Sequence, residues 1–511
     1  MVKKILLSFV LSLFVVVTCW SQNEIIVNAD QGTYQISRDI YGQFAEHLGH
    51  GIYGGIWVGE NSPIPNTRGI RNDVVAALKK IKVPVIRWPG GCFADTYHWK
   101  DGIGPRGQRP KIVNVNWGNV TEDNAFGTHE FLDLCSQLGC DPYIVGNVGS
   151  GTIQEMSDWV NYVNFNGSSP MTELRKKNGR DQPWKVRFWG VGNESWGCGG
   201  SMSAEYYANV FKRYATFLRN YPGAPLYRIA CGPNSGDYHW TEVMMKNAGH
   251  MMQGLSLHYY SVIDWNHKGS ATHFSEGQYA DIMEKTLALK PMIARHMAIM
   301  DQYDPSRRVG LIIDEWGGWY AVEPGTNPAF LYQQNTMRDA LLASTALNIF
   351  NNDCARVRMA NIAQMVNVLQ AMILTKGSQM IVTPTYDVYQ MYTVHHDALM
   401  LPTHVTSDQY TYGKYSMPAI NASSSRDSTG MMHISISNLD PDHGMTVPVE
   451  IRGAGVKTVT GTVLHADSLQ AHNTFSRPDA VKPAVFKAFG VRGSKITVKM
   501  PPASIVILAI K

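Results

Sequence analysis

The chain has 511 residues, enough for two domains or for one large barrel with an appendage, so a sizeable core is no difficulty. Its formal charge of +4 is small for that length, and no Lys/Arg block interleaves with aromatics, which argues against a nucleic-acid partner. A neutral substrate fits this balance, and Trp and Tyr beside Gly, Asn and His offer faces that stack on sugars.

At the start, Lys3 and Lys4 precede an apolar run over 5–17 and then Thr18-Cys19-Trp20-Ser21-Gln22. Residues 1–21 therefore read as a signal peptide cleaved after Ser21, making the protein periplasmic or secreted. A lipid anchor at Cys19 is the weaker reading, because Val17 and Thr18 match a lipoprotein site poorly. The run is too short for a comfortable membrane span, and no similar run follows. Six cysteines remain, Cys92, Cys135, Cys140, Cys198, Cys231 and Cys354, and their apolar or strand-end contexts suggest mostly free, buried thiols.

Residues 22–40 hold two alternating stretches, Ile25-Ile26-Val27 and Thr33-Tyr34-Gln35-Ile36, read as strands that join a later sheet because no crossover helix serves them. From 41 to 401, apolar runs alternate with amphipathic ones. Strands are expected at 41–44, 84–88, 143–145, 186–191, 227–231, 254–258, 309–315 and 356–360. Helices are expected at 73–80, 129–138, 156–165, 204–220 (with Tyr206, Val210, Tyr214 and Leu218 on one face), 279–300, 335–351 and 386–401. Eight such units imply an α/β fold, a (β/α)8 TIM barrel. Beyond Pro402, short alternating runs punctuated by Gly, Pro, Asn and Asp imply a C-terminal antiparallel β-sandwich over 402–511.

Two of the strands end in acids. The run over 186–191 breaks into Gly192-Asn193-Glu194-Ser195-Trp196, and that over 309–313 into Asp314-Glu315-Trp316-Gly317-Gly318-Trp319. The carboxyl ends of barrel strands open on the active-site face, and two carboxylates at one Trp-rimmed pocket are equipment for cutting a glycosidic bond. Glu194 is expected to be the acid, its proton retained by burial and by repulsion from the second carboxylate, which acts as nucleophile. Asp314 competes with Glu315 for that second role, since strand alternation sends one to the pocket and the other to the barrel wall. His258, beside Tyr259 and Tyr260, is expected to orient the nucleophile. His47 and His50 with Glu46 lack a third ligand at a recognised spacing, so no metal is expected. No phosphate loop or dinucleotide fingerprint stands in its required context, so no cofactor is expected either. Trp57, Trp88, Trp99, Trp316 and Trp319 are candidates for stacking on sugar.

Several segments, in order, carry a resemblance: Glu46-His47 with Tyr53-Gly54-Gly55, Arg87-Trp88-Pro89-Gly90-Gly91-Cys92-Phe93, Gly192-Asn193-Glu194, Ser256-Leu257-His258-Tyr259-Tyr260, Asp314-Glu315-Trp316 and Ala363-Gln364-Met365-Val366-Asn367-Val368. Asn473-Thr474-Phe475 and Pro501-Pro502-Ala503-Ser504 extend it into the sandwich. The chain resembles the α-L-arabinofuranosidases of glycoside hydrolase family 51. The resemblance implies a retaining exo-enzyme that removes terminal α-L-arabinofuranosyl groups from arabinan, arabinoxylan or their oligosaccharides. It implies Glu194 as acid/base and Glu315 as nucleophile, with Glu46, Asn193, Tyr260 and Gln364 on the sugar hydroxyls and Asn193 at the 2-hydroxyl. His258 and Trp316 are expected beside the sugar. Cys92 stands where other members carry Asn and is expected to meet the sugar through its backbone. Members of the family are commonly homo-oligomers. Two rivals stand beside this reading: a related retaining barrel acting on xylosides or β-glucans, and a catalytically inactive sugar-binding protein.

Overall fold

A computed structural model describes residues 23–511. Eight parallel strands close into a barrel: β1 (Gly42–Phe44), β2 (Val85–Trp88), β3 (Asp141–Gly146), β4 (Phe188–Val191), β5 (Tyr227–Ala230), β6 (Gly254–Ser261), β7 (Gly310–Gly318) and β8 (Val357–Ile362). Each strand pairs with the next, and Asn361 and Ile362 of β8 pair with Gly42 and Gln43 of β1 to complete the ring. Every residue of β2, β4 and β7 is buried, which is why these strands read as mainly apolar runs, interrupted by Arg87 in β2 and by Asp314-Glu315 in β7: both faces are covered. Val85, Tyr143, Val145, Phe188, Ile229, Ile312 and Met359 fill the interior with a packed plug. Polar side chains collect above it, at the carboxyl ends of the strands.

Between β6 and β7 the register shifts at Leu257/His258, and the shift brings His258 directly opposite Glu315. An irregularity of this kind re-aims side chains at the rim of a barrel.

The helices follow from amphipathic spacing, with three corrections. In Ala204–Phe217 the buried face is Tyr207, Ala208, Phe211, Tyr214 and Ala215; Tyr206, expected inside, is 61% exposed. The long helix expected over 279–300 is two, Glu276–Leu287 and Leu289–Tyr303. Pro291 sits in the first turn of the second helix, where its missing N–H costs nothing, and it could not have sat inside a continuous one. The closing helix ends early, as Pro384–Tyr392, and Leu399–Leu401 is instead a strand paired with Ser424, Ser425 and Arg426. Asp397, in the left-handed region at φ 55°, turns the chain between them. Thr33-Tyr34-Gln35-Ile36 forms no strand, only a single bridge from Gln35 to Leu399.

After the barrel come two sheets. One orders the strands Thr403–Thr406, Glu24–Asn28, Met445–Arg452, Lys495–Met500 and Phe489–Arg492. The other orders Leu399–Leu401, Ile420–Arg426, Met432–Asn438, Ser504–Ile510, Val459–His465 and Ala484–Phe486. Ile25, Val27, Val447, Val449, Ile496 and Val498 meet Ile434, Ile436, Val506 and Leu508 between the sheets. Alternation is strict in Lys495–Met500, where every second residue is buried.

The six-stranded sheet lies against the barrel helix Met337–Asn352 through hydroxyls. Asn348 Oδ1 accepts from Ser435 Oγ (2.6 Å), Ser423 Oγ (2.8 Å) and Tyr392 OH (3.1 Å). Asn351 donates to Ser423 Oγ at 3.1 Å and accepts from Tyr41 OH at 2.8 Å. A buried polar seam of this kind is tolerable because its members partner one another.

Candidate active site

The tip of β7 decides between the adjacent acids. Asp314 turns down onto the plug inside the barrel, below the mouth, accepting from Tyr143 OH at 2.7 Å and from Asn361 Nδ2 at 2.9 Å. Glu315 turns to the mouth, where Oε1 accepts from Arg87 Nη1 at 2.9 Å and Oε2 from Tyr260 OH at 2.7 Å. Burial alone would raise its pKa, but His258, Arg87 and the Tyr260 hydroxyl outweigh it and hold the carboxyl below the usual range.

Glu194 reaches the same mouth from β4. Gly192 (φ 81°) and Glu194 (φ 39°) both lie in the left-handed region, so the chain turns sharply as it leaves the strand; backbone of this kind clusters at functional sites. The turn is secured by Gly197 and Gly199 N–H groups donating to the Glu194 carbonyl at 2.7 and 3.0 Å. Glu194 Oε1 lies 3.0 Å from His258 Nδ1, which is 3.6 Å from Glu315 Oε1. One oxygen of each glutamate and a ring nitrogen of His258 all lie within 4.8 Å of one another. The Glu194 side chain is 20% exposed against 8% for Glu315, so it is the less buried of the two. Burial pushes the His258 pKa down, yet Glu315 and Glu194 push harder and raise it; His258 Nδ1 and Glu194 Oε1 share a hydrogen bond.

Glu46 forms the floor. It accepts from Phe93 N (3.1 Å), Trp117 Nε1 (2.9 Å) and Gln364 Nε2 (3.1 Å). Burial, helped by the charge of Glu315, raises its pKa to about 7. Gly91 is required here, since a Cβ on it would stand 2.7 Å from Glu46 Oε1. Asn193 Oδ1 accepts from Arg87 Nη2 at 2.6 Å, and its backbone N–H donates to Asp95 Oδ2 at 3.1 Å. Asp95 Oδ1 takes the N–H groups of Val148 and Gly149 at 3.0 and 2.9 Å, buckling together the loops after β2, β3 and β4.

Glu46, Asn193, Glu194, His258, Tyr260, Glu315 and Gln364 thus converge. Trp316 does not: it is fully buried, on the opposite side of the strand from Glu315, with its ring edge-on to Phe350 at 5.2 Å. Trp57, Trp88 and Trp99 are likewise core residues. Only Trp319 of the five stands at the mouth, its ring 5.1 Å from that of Tyr260. Cys92 is not a free thiol but is bonded to Cys198, 106 residues away. The two sulfurs lie 3.9 and 3.5 Å from Glu194 Oε2. Cys135, Cys140, Cys231 and Cys354 are free, and all but Cys140 are buried. Among the described residues two groups bring donors within reach of one ion, Glu194/His258/Glu315 and Cys92/Glu194/Cys198. Within the first, one hydrogen bond joins His258 to Glu194, and the sulfurs of the second are spent on each other. Sequence reasoning assigned no role to Arg87, Asp95 or Trp117; a lone cation in the apolar run Val85–Trp88 was the available signal for Arg87.

The family model "Alpha-L-arabinofuranosidase 1 domain" matches residues 77–276, and "Alpha-L-arabinofuranosidase C-terminal domain" matches 314–504. An "Intracellular exo-alpha-L-arabinofuranosidase" of Bacteroides ovatus is 52% identical over 489 residues, which is 95% of this chain and 95% of that protein. The chain belongs to the GH51 α-L-arabinofuranosidases. It is therefore a glycoside hydrolase of this family. The crystal structure of the GH51 arabinofuranosidase from Xanthomonas axonopodis pv. citri superposes with a TM-score of 0.95 at 49% identity, covering 96% of this chain and 100% of that one. The α-L-arabinofuranosidase from Thermotoga maritima, in its arabinose complex, gives 0.82 at 31% identity over 95% and 99%.

Export is not upheld. The expected signal at 1–21 lies outside the described residues, and the Bacteroides ovatus relative, matched across nearly its whole length, is named intracellular. Among the described residues no helix is long and apolar enough to cross a membrane.

Proposed function

We propose that this GH51 enzyme is a retaining, exo-acting α-L-arabinofuranosidase that releases terminal non-reducing α-L-arabinofuranosyl groups from arabinan, arabinoxylan or derived oligosaccharides. The observation that carries this reading is the approach of Glu194 and Glu315 oxygens to within 4.8 Å. Inverting enzymes hold their carboxyls about 6.5–9.5 Å apart to admit a water, whereas retaining ones stand at about 5–5.5 Å.

Glu315, kept ionised, attacks the anomeric carbon, and the bond to the leaving oxygen breaks as Glu194 gives it a proton. A water then gives its proton to Glu194 and attacks the glycosyl ester, freeing arabinose and regenerating Glu315. Arg87 and Tyr260 fix the nucleophile. Asn193, Glu46 and Gln364 present polar atoms to the hydroxyls, and the floor closed by Glu46, Trp117 and Gln364 supports a terminal rather than an internal sugar. The word "exo" in the Bacteroides ovatus relative's name agrees. We further propose that residues 41–398 act as the catalytic domain, with Glu24–Asn28 and 399–511 together forming the sandwich, the strand Leu399–Leu401 moving the expected boundary back from 401.

The test is to trap the glycosyl-enzyme with a mechanism-based furanoside and sequence the labelled peptide, while following the first-formed anomer by NMR. Label on Glu315 with α-arabinofuranose released first is expected. Label on Asp314 or Glu46, or inverted product, would overturn the assignment.

A further inference from the structure

Trp265 is 58% exposed, the only Trp among the large apolar side chains exposed in the described residues. Its loop, which follows β6, opens on the same face as the two glutamates. The loop is pinned: Asp264 Oδ1 accepts from Asn266 N (2.8 Å) and His267 N (2.9 Å), and Lys285 Nζ donates to Val262 O at 2.6 Å. Ala321 N donates to Gly269 O at 2.8 Å, tying the loop to the segment that carries Trp319. Trp265 is thus displayed by an ordered scaffold.

The ring is not isolated. It meets Trp319 edge-on, centroids 5.4 Å apart, and Trp319 meets Tyr260 edge-on at 5.1 Å. Tyr260 in turn holds Glu315. Three aromatic rings therefore run without a break from the proposed nucleophile to solvent. Lys268 Nζ stands 5.8 Å from both indole centroids and donates to Trp265 O at 2.7 Å, leaving further ammonium protons for hydroxyls. An apolar ring face beside free polar donors is the pairing that sugar rings bind.

We propose that Trp265 and Lys268 form a distal leaving-group subsite, a platform for the sugar chain from which the arabinofuranosyl group is cut. The proposal rests on the arabinofuranosidase reading and adds to it where the rest of the substrate lies. An aryl leaving group has no second sugar to reach Trp265, whereas an oligosaccharide has.

Trp265→Ala should leave kcat/KM for nitrophenyl α-L-arabinofuranoside within about twofold of wild type and lower that for arabino-oligosaccharides about three- to tenfold, chiefly in KM, the range one aromatic contact supports. Trp265→Phe should recover part of the loss. In a Glu315→Gln background that cannot turn over, arabino-oligosaccharide affinity by calorimetry should fall by the same factor when Trp265→Ala is added. Equal loss on both substrates would make Trp265 merely structural, and no loss on either, with unchanged affinity, would remove the subsite; both outcomes overturn the proposal. Failure of the arabinofuranosidase reading is separately visible, as absence of wild-type activity on the aryl furanoside.

Discussion

Arg87 donates Nη1 to Glu315 at 2.9 Å while its Nη2 holds Asn193 at 2.6 Å, so a single guanidinium fork sets both the proposed nucleophile and the residue proposed for the 2-hydroxyl. Arg87→Met removes one of the charges that keep Glu315 ionised. Glu315 has its pKa depressed in the native enzyme, so activity that needs its anion is lost only as pH falls well into the acid range. Without Arg87 that acid limb of kcat/KM should move to higher pH, and the plateau should fall by about 100-fold or more. A pH–rate profile checks this; an unmoved limb would show that Arg87 does not govern the ionisation.

Glu194→Ala separates substrates by leaving group. A nitrophenolate departs with little protonation, so its rate should fall far less than that of an arabino-oligosaccharide, whose rate should drop by about 100-fold or more. Azide should rescue the aryl substrate by taking the place of the second-step nucleophile. Equal losses on both would take the acid role from Glu194.

Glu46 couples stability to pH with the opposite sign to Glu315. Its folded pKa is raised from 4.5 to about 7 by burial and by Glu315. The folded state therefore holds a proton that the unfolded chain has released, and the stabilisation present below about pH 4.5 is lost as pH rises through about 7. Glu46→Gln should flatten that decline, melting higher than wild type above pH 7 while KM rises through loss of a hydroxyl partner. Melting curves at pH 5 and pH 8 decide it; parallel declines in both proteins would remove Glu46 as the source.

The Cys92–Cys198 bond ties the loop after β2 to the loop that carries Glu194, across 106 residues. Cys198→Ser should lower unfolding free energy by about 2–4 kcal/mol, the usual worth of a bond that constrains the unfolded chain. It should also lower kcat more on substrates that need protonation than on aryl furanosides, because the Glu194 turn is what it anchors. Denaturation in the presence and absence of a dithiol reads the first, and paired kinetics the second.

Asn348 is the acceptor for three hydroxyls in the seam between barrel and sandwich. Asn348→Leu removes the acceptor they share, leaving Ser423 and Ser435 to each other and Tyr392 to the Ser344 carbonyl at 3.4 Å, and stability should fall by about 1–3 kcal/mol. Kinetics of the folded fraction should stay near wild type, since the seam touches none of the groups at the mouth. A large change in KM would contradict that separation.

The barrel strands were legible because strands covered on both faces are mainly apolar, as in Phe188–Val191 and over 310–313, and the acids that follow then stand out. Glu194 and Glu315 were singled out that way, and the structure brings their oxygens within 4.8 Å. Trp316 was misjudged as a sugar contact although strand alternation sends it away from Glu315 and into the wall, against Phe350. Arg87 was visible as a charge among apolar neighbours, but its partners come from β4 and β7, and local pattern carries no such information. The Cys92–Cys198 pair is of the same kind, since spacing does not fix connectivity. The division of the long helix at Ala288 was signalled by Pro291 and hidden by apolar periodicity that continues across it. Strands such as Gln409–Tyr412 and Ala484–Phe486 are too short and too exposed to announce themselves.

The strand Glu24–Asn28 sits inside its sheet, flanked by Thr403–Thr406 on one edge and Met445–Arg452 on the other. During synthesis this earliest described segment must wait for nearly the whole polypeptide to leave the ribosome before either neighbour exists. Until then Ile25 and Val27 are sticky and uncovered, so nascent chains are the vulnerable form, and a fragment halted at residue 401 would keep both hydrogen-bonding edges of that strand open to other molecules.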